Sequence, residues 1–299
     1  MENNVTPEPA PQRLTRKIEI TPPTAGQMAV DVLAAETGLS KSALKDAMSK
    51  GAVWIIPKRG NKRRLRRAQT VLHAGDVLAL HYDARILKAP VPEARMLRDE
   101  GSYGLWYKPP GMLAQGNEYG DHHSLLRVAE LWLREARRDQ QATTWLVHRL
   151  DREAGGLMLV AYQKKAAAAL SDMFQNKRME KIYWAQVTGK TPAQDVIDSP
   201  LDGKPALTRY RHLAWDEYKN LSELEVSIET GRQHQIRRHL EAIGHPLYGD
   251  PRYGRNNKNK DGMKLVAWRL GFTCPLTKQP RQYDLAELAP DLFSVEKPQ

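Results

Sequence analysis

Apolar positions recur with two periods along the chain, and the switches between them outline its elements. Near the start, Val30, Leu33 and Ala34 share one helical face, and Gly38 offers a stop. Ser40 can cap a second helix through Leu44 and Met48, ended by Gly51. Val53–Trp54–Ile55–Ile56 reads as a short strand, and Val77–Leu80 as another after the Gly75–Asp76 turn. Leu105–Trp106–Tyr107 is strand-like until Lys108–Pro109–Pro110–Gly111 breaks it. Ser124 can cap an amphipathic helix carrying Leu125, Val128, Ala129 and Trp132. Gly156–Tyr162 has the unbroken apolar character of a buried strand, and an alanine-rich helix follows from Lys164 to near Lys177. Lys181–Val187, Thr208–Trp215 and Leu221–Ile228 alternate or run apolar as strands. Gln233–Ile243 reads as a helix closed by Gly244, and Leu265–Phe272 as a final strand.

Many strands interleaved with few helices predict an α+β chain on a mixed, largely antiparallel sheet with helices packed against it. Residues 1–16, with Pro7, Pro9 and Pro11, read as a flexible tail. Residues 17–83 form a small α/β unit, residues 84–100 with Pro90 and Pro92 read as a linker, and residues 101–292 make a larger domain. No internal repeat is visible.

Composition narrows the function classes. A chain of 299 residues, 41% of them hydrophobic, suits one large or two unequal domains with a proper core. Lysine and arginine outnumber aspartate and glutamate by 46 to 35, giving a net charge of +11, which favours polyanionic partners, above all nucleic acid. The single cysteine, Cys274, rules out an intrachain disulfide and suits a reducing compartment. The N-terminus lacks a signal-peptide core and no apolar run could span a bilayer, so a soluble cytoplasmic protein is expected. Lys58, Arg59, Lys62, Arg63, Arg64, Arg66 and Arg67 crowd seven cations into ten residues. A solvated loop would explain them; their density favours RNA contact, with Lys58, Arg63, Arg64 and Arg66 as candidates.

The chemistry-bearing run is His148–Arg149–Leu150–Asp151–Arg152–Glu153–Ala154–Gly155–Gly156–Leu157–Met158–Leu159. A carboxylate between two arginines stays ionised, and a glycine-bearing turn feeding an apolar strand is a common place for a catalytic group. Taken alone, a surface Arg–Asp pair explains it as well. The run also resembles the HRLD-x-x-T-S-G-L motif of RluA-type pseudouridine synthases. Four further stretches resemble that family in the same order: YKPPGMLAQG (107–116), KIYWAQVTG (181–189), TGRQHQIRRHLEAIGHPLYGDPRYG (230–254) and LVAWRLGFTCPLT (265–277). Where the family has Thr-Ser, this chain has Ala154–Gly155. The stretches SKSALKDAMSKGAVWI and GDVLALH resemble the small ribosomal-protein-type RNA-binding domain that precedes many such enzymes.

The resemblance implies the pseudouridine synthase fold and an isomerase that detaches uracil, rotates it and rejoins it through C5, without a cofactor. It implies Asp151 as nucleophile and Tyr183 stacked on the target base. It also implies an arginine paired with Asp151: Arg237 is favoured and Arg232 is the rival. Arg149 would assist base extrusion or bind phosphate, Arg232 would bind phosphate, and Leu265 would line the uracil pocket. The partner implied is RNA, ribosomal RNA favoured and transfer RNA the other candidate, with a monomer as the default. His234 and His239 are badly spaced for one metal and no metal is expected. Gly249–Asp250–Pro251 lacks a phosphate-loop lysine. Two rival functions stand beside this one: a catalytically inactive RNA-binding protein or assembly factor, suggested by Ala154–Gly155, and a nucleoside hydrolase using Asp151 and Glu153.

Overall fold

The computed structural model describes residues 13–255, 257 and 259–293. The chain divides into two compact units. The first comprises the chain up to Val91 together with Gly116–Arg127; the second takes Pro92–Gln115 and the chain from Val128 onward.

In the first unit, β1 (Arg13–Glu19), α1 (Ala29–Thr37), α2 (Lys41–Ser49), β2 (Val53–Ile56), β3 (Arg63–Arg64), β4 (Val77–Asp83) and α3 (Ala84–Lys88) follow one another. The strands form an antiparallel sheet in the order β1-β4-β2-β3. Gly38 ends α1 in the left-handed region that its missing Cβ permits, and the Ser40 hydroxyl accepts the Ala43 N–H to start α2. The apolar faces of the helices close over the sheet through Val30, Leu33, Leu44, Met48, Val53, Ile55, Leu78 and Leu80.

The segment 116–127 completes this unit. Asn117 and Gly120 bridge a tight turn, and Trp54 Nε1 donates to the Glu118 carbonyl. Arg64 Nε lies 3.1 Å from Asp121 Oδ2 and Arg66 Nη2 lies 2.5 Å from the same oxygen. Arg64 also donates to the carbonyls of Gly51 and Asn117, and Arg66 to that of Ser49. The expected boundaries shift accordingly. Of the predicted tail, residues 1–12 lie outside the described residues, while Arg13–Arg16 belong to β1. The predicted linker is not one: it contains α3 and the strand β5 (Arg95–Asp99). Asp83 caps α3 by accepting two backbone N–H groups, and β5 pairs along β6 (Tyr103–Lys108), so both stretches have hydrogen-bonding partners that a linker lacks.

The second unit continues through α4 (Leu125–Ala136), whose first turn falls on the other side of the division, and β7 (Trp145–Leu146). Then come β8 (Gly155–Ala161), α5 (Lys164–Gln175), β9 (Glu180–Thr188), β10 (Gln194–Asp198), β11 (Leu207–Asp216), β12 (Leu221–Ile228), α6 (Gln235–Ala242), β13 (Leu265–Thr273), β14 (Pro280–Asp284) and α7 (Leu285–Leu288). One sheet runs β10-β11-β12-β9-β13-β8-β6-β5, with β14 beside β13 and β7 beside β8. Every pairing is antiparallel except β13 with β8, as the mixed sheet expected from the sequence requires. Gly156 makes that parallel seam possible. Its φ is +115°, and a Cβ there would stand 2.4 Å from both the nitrogen and the oxygen of Ala267. β8 is buried along its whole length, so the turn leading into it rests on a fixed base.

Candidate active site

The turn 148–154 carries Asp151 and is pinned at both ends. β7 pairs with β8 at only two positions before the chain leaves the ladder. The His148 imidazole then takes the next free donor, with Nε2 accepting the Leu159 N–H at 2.9 Å, and its ring stacks on Phe174. Burial pushes His148 down to about 3, so the ring stays neutral and keeps the lone pair that this bond needs. At the other end, the fully buried Lys108 ammonium donates to the carbonyls of Pro109, Met112 and Arg152. Burial pushes it down to about 7, although the charges of Glu153 and Asp151 act to raise it. The Gly111 N–H donates to the Arg152 carbonyl at 2.7 Å, and the Ala154 N–H to that of Asp151.

Opposite this turn, the stretch 230–237 descends from β12 into α6. Gln235 is buried and bonds in four directions. Its amide donates to Leu207 O and Thr208 Oγ1; its oxygen accepts from Thr230 Oγ1 and the Arg232 N–H. His234 sits at the helix start in the left-handed region (φ +53°), with Nδ1 3.0 Å from the Tyr253 hydroxyl and Nε2 3.9 Å from Asp151 Oδ1. Burial lowers its pKa, against the raising effect of Asp151.

Arg237 is the electrostatic centre. Its side chain is 2% exposed and meets three carboxylates. Nε and Nη2 donate to Asp250 at 2.7 and 2.8 Å as a two-pronged pair, while Nη1 donates to Asp151 Oδ2 at 3.1 Å and to Glu153 at 3.5 Å. Burial works against the guanidinium charge, but the hydrogen bonds and charge of Asp250, then those of Asp151, outweigh it and raise its pKa. Arg237, not Arg232, therefore reaches the Asp151 carboxylate; Arg232 Nε donates to the Pro205 carbonyl.

These groups enclose a cleft of about 310 Å³. Arg149, Asp151, Ala154, Tyr183, Arg232, His234, Arg237 and Leu265 all line it, so the six residues expected at the centre or beside it come from four separate stretches that meet there. Tyr183 projects from β9, and burial first, then the Asp151 charge, raises its phenol so that it stays protonated. An open cleft with convergent charges and an apolar wall suits a flat polar ring beside a carboxylate. His239 takes no part: its two nitrogens lie 2.9 and 3.0 Å from Thr208 Oγ1 and the Ser199 carbonyl. Lys58, Arg63, Arg64 and Arg66 lie in the first unit. Lys58 and Arg63 have no ion pair among the described residues, whereas Arg64 and Arg66 pair with Asp121. Sequence reasoning missed His148, Lys108, Gln235 and Asp250 as parts of the site. A buried arginine on the same face of α6 as Ile236 and Leu240 was the available signal, because such a charge demands a carboxylate.

The chain matches the family model described as RNA pseudouridylate synthase over residues 102–242. It is 32% identical over 189 residues to the dual-specificity RNA pseudouridine synthase RluA of Vibrio vulnificus, covering 56% of this chain and 73% of that protein. The chain belongs to the RluA-type RNA pseudouridine synthase family. It is also 33% identical over 210 residues to ribosomal large subunit pseudouridine synthase D of Nitrosomonas europaea, 60% of each protein. It spans little more than half the length, 52–60%, of several curated relatives. The solved structure of human RNA pseudouridylate synthase domain containing 4 superposes with a TM-score of 0.54 at 20% identity, over 63% of this chain and 87% of that one. That likeness concerns the fold alone.

The departure from the RluA-type motif has a local explanation. Ala154 is buried against the cleft, and a Cβ on Gly155 would stand 3.2 Å from Pro110 Cδ, tighter than ordinary contact. The turn is closed by packing against Pro110 where the family pattern has hydroxyls.

Proposed function

We propose that this chain is an RNA pseudouridine synthase that isomerises specific uridines in structured RNA. The observation that carries the reading is the Asp151 carboxylate in an open cleft, held by the buried Arg237 at 3.1 Å with Tyr183 beside it. Asp151 acts as nucleophile, oriented by its arginine partner. The reaction breaks N1–C1′, forms C5–C1′ and moves one proton from C5 to N1, so atoms and electrons balance without a co-reactant. Tyr183 stacks on the extruded base as a neutral phenol, and Leu265 shields the intermediate from water. Arg149, exposed at the rim, offsets part of the few kcal/mol needed to unstack a base. Arg232 contacts phosphate with the guanidinium nitrogens that Pro205 leaves unused.

Ribosomal RNA is the favoured substrate, supported by the relative named for the large ribosomal subunit and by the excess of basic residues; transfer RNA is second. No helix among the described residues is long and apolar enough to cross a membrane, in keeping with a cytoplasmic enzyme, and it acts as a monomer. The test is a site-resolved pseudouridine map of cellular RNA from a strain lacking the gene, rescued with wild type or Asp151→Ala. One uridine should lose its mark on deletion and regain it with wild type alone. Unchanged maps in all strains would instead support an RNA-binding protein without catalysis.

A further inference from the structure

We propose that Asp250 is the positioning residue of the cleft: it occupies the two-pronged face of Arg237 so that Asp151 is held by one oxygen only. This rests on Asp151 being the nucleophile. A guanidinium beside a single carboxylate settles into a two-pronged pair, which engages both carboxylate oxygens. Here Asp250 holds that position, with Nε on Oδ2 and Nη2 on Oδ1. Asp250 is itself fixed, because Oδ1 also accepts the N–H groups of Arg252 and Tyr253, and its side chain is wholly buried. The guanidinium lies 5.2 Å over the Tyr253 ring, which limits its rotation further.

The consequence falls on Asp151. Only Nη1 is left to face it, and Nη1 reaches Oδ2. Oδ1 accepts no hydrogen bond from any described residue; His234 Nε2 stands 3.9 Å away. One oxygen is therefore anchored while the other keeps its lone pairs toward the cleft. In the covalent step Oδ1 donates a pair to C1′ while the N1–C1′ bond breaks and its pair leaves on uracil. As C5 then bonds C1′, the O–C1′ pair returns to the carboxylate and the C5 proton passes to N1. Glu153 shares Nη1 at 3.5 Å, so the donor still faces an anion while Asp151 is esterified and uncharged.

Without the Asp250 charge, Arg237 would turn its fork onto Asp151 and engage the attacking oxygen. Asp250→Asn keeps an oxygen for the Arg252 and Tyr253 N–H groups, so the local turn is preserved. Single-turnover conversion is measured at the mapped uridine in unmodified RNA from the deletion strain, alongside RNA affinity on the same preparations. Asp250→Asn should slow conversion about 100-fold, the scale of a small misplacement at a reacting centre, with affinity changed less than about threefold. In an Arg237→Lys background, which has no fork to misdirect, Asp250→Asn should cost under about tenfold. A wild-type rate in Asp250→Asn, or an equal loss in both backgrounds, overturns the positioning role. Full activity in Asp151→Ala would instead overturn the functional reading on which it stands.

Discussion

Two aspartates meet arginine in opposite proportions. In the first unit, Asp121 has two guanidiniums, those of Arg64 and Arg66, converging on one oxygen. In the second, three carboxylates surround the single guanidinium of Arg237, and Asp151 obtains one bond from it. A carboxylate oxygen on which two guanidiniums converge is tied down from two sides, which suits a structural staple. A carboxylate that shares one donor with two competitors is tied down at a single point, which suits a nucleophile. The ratio of donors to acceptors, more than the presence of an ion pair, separates the two roles.

The largest effect should come from Asp151→Asn. Its single-turnover rate is expected to fall at least about 1000-fold, roughly 4 kcal/mol of barrier, while RNA affinity is kept. Asp121→Asn should leave the rate unchanged; a matching loss there would erase the contrast. Next, Arg237→Ala strands the buried Asp250 carboxylate and should destabilise the second unit by about 3–5 kcal/mol in urea titrations. Acid comes third. An unfolded histidine titrates near 6.5, whereas His148 in the fold is held at about 3. Below pH 6.5 the unfolded chain binds a proton that the fold refuses, so stability present above that pH is lost as pH falls towards 3. Between pH 6.5 and 4.5 wild type should lose about 2 kcal/mol more than His148→Gln, whose amide oxygen still accepts from Leu159. The smallest effect belongs to the exposed cations. Arg63→Ala should reduce the salt slope of RNA binding by about 0.7–0.9, and Arg64→Ala should instead show as lost stability of about 1 kcal/mol. Equal salt slopes for the two variants would place Arg64 among the phosphate ligands after all.

The strands read from apolar runs, β8, β9, β12 and β13, lie inside the sheet, where both neighbours exclude water. Among those overlooked, β1, β5, β10 and β14 are polar and at or near an edge, where alternation is masked by residues such as Arg16, Arg98, Asp195 and Arg281, and β3 and β7 are only two residues long. At the site, Asp151, Tyr183 and Arg237 were legible through a motif that fixes residue type and order. Asp250 stood in the same quoted stretch but looked like a turn residue, because its partner lies across the loop after α6. The ion pairing within the basic run was hidden for a related reason: the carboxylate that Arg66 meets lies 55 residues further along the chain.

That separation has a cost in time. A ribosome adding about 5–20 residues per second needs about 3–11 s to pass from Arg66 to Asp121. Throughout that interval the nascent first unit carries two guanidiniums whose final anion does not yet exist, and they stay hydrated. The strands β5 and β6 of the other unit are already polymerised when Asp121 arrives. The two units are thus interleaved in synthesis, and no single cut in the chain can release either of them whole.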